Sequence, residues 1–258
     1  MCLCSYRAQS LKVLSSIDTT IANIGDQLVL DIILKNINDN YKLDFPILSI
    51  ENDSISEDVD AVFFDSDGDG DKDLYVVSGG NEFAPNSSTY QDRLYINDGN
   101  GVFKFNRDLL PNIYESGSVV RPTDYDNDGD MDLFIGSRMI PWNYPESASS
   151  YMLENINGKF YLYEDINKSF NDLGLVTDAT WADYDNDGDS DLFVVGEWMP
   201  LTLIKNDSGL FKKNKLNNNC DDTYGWWYSI ESGDFNNDGQ QDLVMGNLGE
   251  NYKYKASK

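Results

Sequence analysis

The chain has 258 residues, with 45 acidic against 19 basic side chains and no histidine, which gives a formal net charge of −26. A chain this acidic repels nucleic-acid phosphates and anionic lipid headgroups. We therefore expect that it neither binds nucleic acid nor inserts directly into a membrane. The lack of histidine excludes Ser-His-Asp and Cys-His catalysis and histidine-ligated zinc or haem.

Residues 11–45 contain strand-like stretches, including TTIANIGDQLVLDI. We therefore predict that residues 1–50 form an N-terminal strand-containing segment that precedes the repeats of residues 51–258. Two roles are open for this segment. It supplies closing strands for the last repeat, or it is the tail of a preceding module.

One nine-residue acidic phrase occurs four times in the rest of the chain, at intervals of about 50 to 60 residues. Each copy lies between a strand-like stretch and a short apolar stretch of the type LYVV or LFIG. Each phrase is therefore predicted to be the turn of a β-hairpin. The copies, called acidic loops 1 to 4 below, are DSDGDGDKD from Asp65, DYDNDGDMD from Asp124, DYDNDGDSD from Asp183 and DFNNDGQQD from Asp234.

A second hairpin signature follows three of these loops. RLYINDGNGVFKF, YMLENINGKFYLY and LTLIKNDSGLFKK place Asn, Asp or Gly, which tolerate positive φ, between strand-like stretches. Two hairpins make a four-stranded unit, and such units bury their faces by stacking around an axis. The sequence therefore predicts an all-β fold, a partial β-propeller with blades at about 55–115, 116–172, 173–222 and, incompletely, 223–258.

The fourth repeat is short. The chain ends at Lys258, before the second hairpin of that repeat would be complete. Either the chain is a piece of a longer protein, or another segment such as residues 11–45 completes the last blade.

The acidic loops have the donor pattern of a metal site, with oxygen-bearing side chains at positions 1, 3, 5 and 9 and glycine at position 6 for a sharp turn. Calcium takes about six to eight oxygen ligands, which closely spaced carboxylates in one loop supply. We predict up to four calcium ions, with a backbone carbonyl at position 7 as a further ligand and the weakest binding in loop 4, where Asn236 is neutral. The candidate residues are Asp65, Asp67, Asp69, Asp71, Asp73, Asp124, Asp126, Asp128, Asp130, Asp132, Asp183, Asp185, Asp187, Asp189, Asp191, Asp234, Asn236, Asp238, Gln240 and Asp242.

Other interpretations of the loops are weaker. An EF-hand needs a bidentate glutamate at position 12, where this chain has the strand residues Val76, Ile135, Val194 and Met245. Magnesium prefers fewer protein ligands and more water. A merely solvated acidic turn is disfavoured by four copies in one register, and because so many carboxylates in one turn repel each other without a cation.

The four D-x-[DN]-x-D-G-x-x-D-L phrases and the LYINDGNGVF-type hairpins resemble the FG-GAP or VCBS repeat of integrin α-subunit propellers and of many bacterial surface and secreted proteins. The resemblance covers about residues 55–258 and implies calcium in the loop between the first two strands of each blade. VVGEWMP and GDFNNDGQQDLVMGNLGENYKYKAS are similar to the bacterial ASPIC/UnbV-associated, cartilage acidic protein-like subgroup. Such propellers usually have about seven blades, which implies that this chain is a fragment.

The segments after the second strand of each blade are rich in aromatic and charged residues, on the face predicted to lie opposite the acidic loops. They form either a ligand face near the propeller axis or, as we favour, packing between blades with locally paired charges. The residues are Asn81, Glu82, Arg138, Trp142, Glu197, Trp198 and Asn247. In the packing interpretation the Gly225–Trp227 stretch also packs between blades.

We therefore expect a non-catalytic, calcium-binding module for adhesion to an unidentified protein or glycan partner. The alternative is the calcium-dependent propeller portion of a polysaccharide-active enzyme, for which Arg93, Arg121 and Arg138 are the only candidates, and salt bridges explain them equally well. Calcium loops of this kind fill where calcium is millimolar, so we expect an extracytoplasmic location, although no signal peptide is visible in the sequence.

Overall fold

The computed structural model describes residues 12–17, 30–35, 57–214, 216 and 223–248. The chain divides into two compact units, Met1–Phe45 and Pro46–Lys258. In the first unit, β1 (Lys12–Ile17) and β2 (Leu30–Lys35) form an antiparallel two-stranded sheet. Most of residues 1–50 lie outside the described residues, so both predicted roles of that segment stay predictions. No helix within the described ranges is long and apolar enough to cross a membrane.

The second unit is a partial β-propeller, as the repeat predicts, and its described residues form three four-stranded antiparallel blades and the first hairpin of a fourth. Blade 1 contains β3 (Glu57–Phe64), β4 (Asp73–Gly79), β5 (Arg93–Asn97) and β6 (Phe103–Phe105). Blade 2 contains β7 (Gly117–Thr123), β8 (Asp132–Ser137), β9 (Tyr151–Ile156) and β10 (Lys159–Tyr161). Blade 3 contains β11 (Leu175–Ala182), β12 (Asp191–Met199), β13 (Thr202–Asp207) and β14 (Leu210–Asn214). Blade 4 contains β15 (Gly225–Gly233) and β16 (Asp242–Asn247).

Short helices lie only in the connections of this described part. Two are 3₁₀ turns, Ser88–Tyr90 and Arg107–Leu109, and one is the single α-helical turn α1 (Glu164–Asn167). Both predicted hairpins of blades 1 to 3 are present, with an acidic loop between the first two strands and an Asn/Gly-rich turn between the last two.

The first strand of every blade carries a β-bulge at the same place, six residues before its acidic loop. The bulged residues are Val59, Ser118, Thr177 and Tyr228. A bulge re-aims a side chain away from the regular pleat. The Ser118 hydroxyl donates to the carbonyl of Val176 at 2.7 Å, and the Thr177 hydroxyl donates to the carbonyl of Trp227 at 2.8 Å. The bulges of blades 2 and 3 therefore tie each blade to the next.

Apolar side chains fill the space between consecutive blades. Between blades 2 and 3 the core includes Phe134 and Phe211, and between blades 3 and 4 Phe193 and Ile230 are buried with Trp227 packed against them. Burying such side chains is the main stabilising contribution to the stack. Interblade packing is thus confirmed for Trp227.

A buried carboxylate also joins blades 1 and 2. Asp92 precedes β5 and is 4% exposed. Its Oδ2 accepts hydrogen bonds from the hydroxyls of Tyr75 at 2.8 Å and Tyr151 at 3.0 Å, and its Oδ1 accepts from the Ser78 N–H at 2.8 Å. Burial raises the pKa of Asp92 to about 6, although these hydrogen bonds act in the opposite direction.

Ionisation of Asp92 therefore opposes folding. Because its pKa is raised in the folded protein, its contribution to stability is fully present below about pH 4 and is lost as the pH rises through about 6. Asp92→Asn removes this titration, and the tyrosine hydroxyls can turn to accept from the new amide. Between pH 4 and pH 8 we expect the difference in free energy of unfolding to shift in favour of the variant by on the order of 3 kcal/mol. Urea denaturation at a series of pH values measures it, and a pH-independent difference would contradict the assignment.

Candidate metal centres

The acidic loops fold through two residues with positive φ. Position 6 is glycine in all four loops, with φ between +84° at Gly239 and +98° at Gly129, as the sharp turn predicts. Position 4 also has positive φ, and it is occupied by Gly68, Asn127, Asn186 and Asn237. Glycine and asparagine are the residues that adopt this region most readily. The motif leaves position 4 undefined, but the glycine or asparagine found there in every loop is a sequence signal for positive φ.

Backbone N–H groups hold the carboxylates of each loop in place. The position 1 carboxylate accepts from the N–H of position 6 in all four loops, at 2.9 Å from Gly70 to Asp65 and 3.0 Å from Gly129 to Asp124. The position 5 carboxylate likewise accepts from the N–H of position 7 in every loop. These bonds orient the carboxylates at positions 1 and 5 within the loop.

The position 9 carboxylate is the buried member of the set. Asp73, Asp132 and Asp191 are each at most 1% exposed. In each, Oδ2 accepts from the N–H of position 2, and Oδ1 accepts from the N–H of an asparagine at the end of the third strand of the blade, at 2.7 to 2.8 Å. Burial raises the pKa of Asp132 to about 7 and also raises that of Asp191, with further upward shifts from the carboxylates at positions 3 and 5.

Positions 1, 3 and 9 come together in loops 1, 2 and 3. One oxygen from each of the three carboxylates lies within 4.8 Å of the other two, and such a group could hold a metal ion. In loop 4 position 3 is Asn236, and no such trio of carboxylates occurs there. The trios are Asp65, Asp67 and Asp73; Asp124, Asp126 and Asp132; and Asp183, Asp185 and Asp191.

The side chains at position 7 lie against other parts of the fold. Asp130 accepts from the N–H of Asn157 at 3.0 Å, and Asp189 accepts from the N–H of Ser208 at 2.8 Å, both in the second hairpin turn of the same blade. Gln240 accepts from the Asn186 amide of the preceding loop at 3.3 Å. Because these side chains are engaged with other parts of the fold, the observation is consistent with the prediction that position 7 contributes its backbone carbonyl as a ligand. The ligand roles of positions 1, 3, 5, 7 and 9 all stay predictions.

Each of loops 1 and 2 is also clamped by the next blade, which the sequence interpretation missed. The amide of Asn155 donates to the carbonyl of Ser66 at 2.8 Å, and that of Asn206 donates to the carbonyl of Tyr125 at 2.7 Å. A side chain at Gly158 would meet the Asp67 Cβ at 2.8 Å, so the second hairpin turn of blade 2 rests directly on loop 1. The available signal was the asparagine shared by YIND, LENI and LIKND.

A lysine of β13 lies against acidic loop 3. The Lys205 ammonium lies 2.6 Å from a carboxylate oxygen of Asp185 and 3.2 Å from one of Asp187. These two carboxylates raise the pKa of Lys205. The equivalent positions of blades 1 and 2 hold Ile96 and Glu154. Among the described residues, a lysine pairs with a carboxylate of a trio only in loop 3, where it occupies oxygens that a metal ion would need.

Residues 65–135 and 183–245 match the family model of the FG-GAP-like repeat. The two segments together make up more than half of the chain. The chain belongs to the FG-GAP-like repeat family. Each matched FG-GAP segment begins at position 1 of an acidic loop and ends in the strand after the next loop, so the matches include all four acidic loops. A comparison with curated proteins finds no match.

We expect the asparagine clamps to contribute measurably to stability. Asn155→Ala or Asn206→Ala leaves a buried carbonyl and a turn N–H without partners, which should lower the free energy of unfolding by about 2–4 kcal/mol. Asn97→Ala is the matched control, because Asn97 occupies the same position in blade 1 but its amide donates to Lys72 within its own blade. Its loss should stay below about 1 kcal/mol. Equal losses in urea denaturation would contradict the clamp.

We also expect Lys205 to stabilise loop 3 when no metal ion is available. Lys205→Met leaves Asp185 and Asp187 to repel each other, so the variant should melt at a lower temperature than the wild type in EDTA, and more so at low salt. Lys212→Met serves as the control, since Lys212 lies opposite Lys205 on β14 with an exposed side chain. Equal melting temperatures for both variants in EDTA would refute the role of Lys205.

Proposed function

We propose that this FG-GAP chain is a non-catalytic, calcium-binding propeller module that binds a protein or glycan partner outside the cytoplasm. The observation that carries the proposal is the convergence of the carboxylates at positions 1, 3 and 9 in three successive loops. A calcium ion would be held in each of these loops by the three side chains together with the side chain predicted at position 5 and the backbone carbonyl predicted at position 7.

The donor set fits calcium. Every candidate ligand side chain is a carboxylate or an amide, and hard oxygen donors suit Ca²⁺ better than softer metals. The flexible coordination number of Ca²⁺ suits ligands contributed by one irregular loop, whereas Mg²⁺ keeps several waters. Burial, and then repulsion from neighbouring carboxylates, also raise the pKa of Asp67 and Asp126, which a bound cation would offset.

Calcium would act on the whole stack of blades. The ion would neutralise a loop on which the next blade rests through Asn155 or Asn206. Fixing the loop therefore also fixes the contact between two blades. In this proposal the ion has a structural role: it stabilises the fold and takes part in no reaction.

The arginines favour a non-catalytic module over a polysaccharide-active enzyme. Arg93 pairs with Asp58, and Arg121 pairs with Asp60 of blade 1 and Asp178 of blade 3. Arg138 pairs with Glu197, whose side chain is fully buried. Each of these charges is engaged in holding strands or blades together, which supports the salt-bridge interpretation. An ASPIC/UnbV-like context and an adhesive role in a calcium-rich, extracytoplasmic setting belong to the same proposal.

Calcium should raise the melting temperature of the protein relative to EDTA. A site filled at 100 times its dissociation constant adds about 2.7 kcal/mol, and for a domain of this size each kcal/mol shifts the melting temperature by roughly 2–4 °C. Magnesium at the same concentration should have a smaller effect. A melting temperature that is indifferent to calcium would refute the proposal.

Exchange at position 3 separates the contributions of the loops. Asp126→Asn gives loop 2 the residue that loop 4 has naturally, and should reduce the calcium-dependent stabilisation. Asn236→Asp is the reciprocal change in loop 4 and should increase it. Calcium titrations followed by calorimetry check both variants, and loop 4 of the wild type is expected to bind most weakly.

A further inference from the structure

A cavity opens at the end of the blades opposite the acidic loops. It has a volume of about 430 Å³ and lies where first strands begin and second strands end. All four blades contribute to its wall, so its shape depends on the blade stack. The lining side chains used below are Glu57 and Glu82 of blade 1, Arg138 of blade 2, Thr177 of blade 3 and Tyr228 of blade 4.

Exposed aromatic rings come from the same end of the blades. Trp142 is 62% exposed, Trp198 51%, Tyr144 47% and Tyr228 46%, and we call these four residues the aromatic patch. The expectation that Trp142 fills the space between blades is therefore wrong, whereas Trp198 is half-exposed and also packs on the neighbouring blade. Large exposed aromatic groups of this kind mark binding surfaces more often than isolated apolar residues do.

The patch is held in a defined arrangement. The Trp198 indole N–H donates to the Tyr144 hydroxyl at 2.7 Å, and that hydroxyl donates to the buried Glu197 at 3.2 Å. The Trp198 ring packs on Trp226 with centroids 5.0 Å apart, and Trp226 in turn stacks on Tyr228 at 6.4 Å. The rings therefore connect blades 2, 3 and 4.

Both tryptophans of the patch also have unusual backbones. Trp142 has φ +68° and Trp198 has φ +60°, in the left-handed region that disfavours bulky side chains. The Trp142 N–H donates to the Asn81 side chain of blade 1, which holds this conformation. Strain of this kind persists where surrounding structure enforces it and is concentrated at binding sites.

The charges around the cavity select against anions. The guanidinium of Arg138 is neutralised by Glu197, whereas the carboxyl groups of Glu57 and Glu82 lie close together beside Gly80 on the blade 1 side and bring net negative charge. Repulsion from this pair disfavours acidic polysaccharides. A sugar without charge can donate its hydroxyls to the carboxylates and accept from Arg138, while its C–H faces cover the rings. The cavity wall mixes apolar surface with carboxyl, hydroxyl and guanidinium groups, and a sugar with C–H faces and hydroxyls can contact both.

We propose that the aromatic patch and the adjoining cavity bind a neutral oligosaccharide, with Trp142 and Trp198 as the stacking platforms. This inference rests on the proposed function as a binding module and names its partner class. It places the glycan at the end of the blades away from the metal loops, so no metal ion bridges protein and sugar.

The test uses the intact protein in calcium buffer and neutral hexasaccharides of different linkage: cellohexaose, xylohexaose, mannohexaose, maltohexaose, laminarihexaose and chitohexaose. Calorimetry and tryptophan fluorescence should show saturable binding of at least one of them, and no binding of hexagalacturonate. Trp142→Ala and Trp198→Ala should each weaken binding at least tenfold with unchanged calcium-dependent melting. Tyr161→Ala is the matched control, because Tyr161 is an exposed ring stacked on Tyr163 on the edge strand of blade 2.

Several outcomes would overturn the glycan proposal. They are the failure of every neutral hexasaccharide to bind, equal binding of hexagalacturonate, and binding that neither tryptophan variant weakens. Binding of hexalysine in place of the sugars would also overturn it but would keep the module's role in partner binding. Calcium-dependent melting is read in the same samples. Its presence without sugar binding rejects the glycan proposal alone, and its absence rejects the proposed function.

Discussion

The buried carboxylate at position 9 of acidic loops 1 to 3 is the contact on which the three complete blades depend. Asp73, Asp132 and Asp191 begin the second strand of their blades and are almost fully removed from water. A buried carboxylate is costly unless hydrogen bonds satisfy it, and here one oxygen accepts from the loop and the other from the third strand. One side chain therefore sets both the closure of the loop and the position of the second hairpin. The asparagine that donates its N–H to this carboxylate then reaches, in blades 2 and 3, the loop of the preceding blade.

The sequence predicts the parts of this arrangement that are local. Gly at position 6, the alternating apolar stretches and the Asn/Gly turns fix hairpins whose partners are close along the chain, and all of these are found in the described blades. The repeat then predicts the stacking, because a four-stranded unit has two faces to cover. The carboxylates at positions 1, 3 and 9 follow from the same register.

Contacts between blades are less accessible to sequence interpretation. Asn206 reads as one of many asparagines in hairpin turns, and only its 0% exposure and its bond to Tyr125 across the blade boundary show what it does. Lys205 likewise reads as a solvated strand residue until the fold brings it to Asp185. Trp142 and Trp227 have the same side chain, yet one is exposed and the other packs in the core. The residue type alone does not distinguish these two environments, because they depend on where the backbone at each blade end places the side chain.

The acidic loops and the exposed tryptophans lie at opposite ends of the blades. The acidic loops hold five, five, five and three acidic residues, which is 18 of the chain's 45, while the exposed tryptophans lie at the opposite strand ends. The two ends are joined by first strands of 7 to 9 residues, whose bulges and buried faces link neighbouring blades. The cavity wall is assembled from four blades, so its shape depends on their relative placement. If calcium fixes the loops on which blades rest, it would preserve that placement from a distance. The ion and a glycan would then be coupled through the order of the stack, without sharing a ligand.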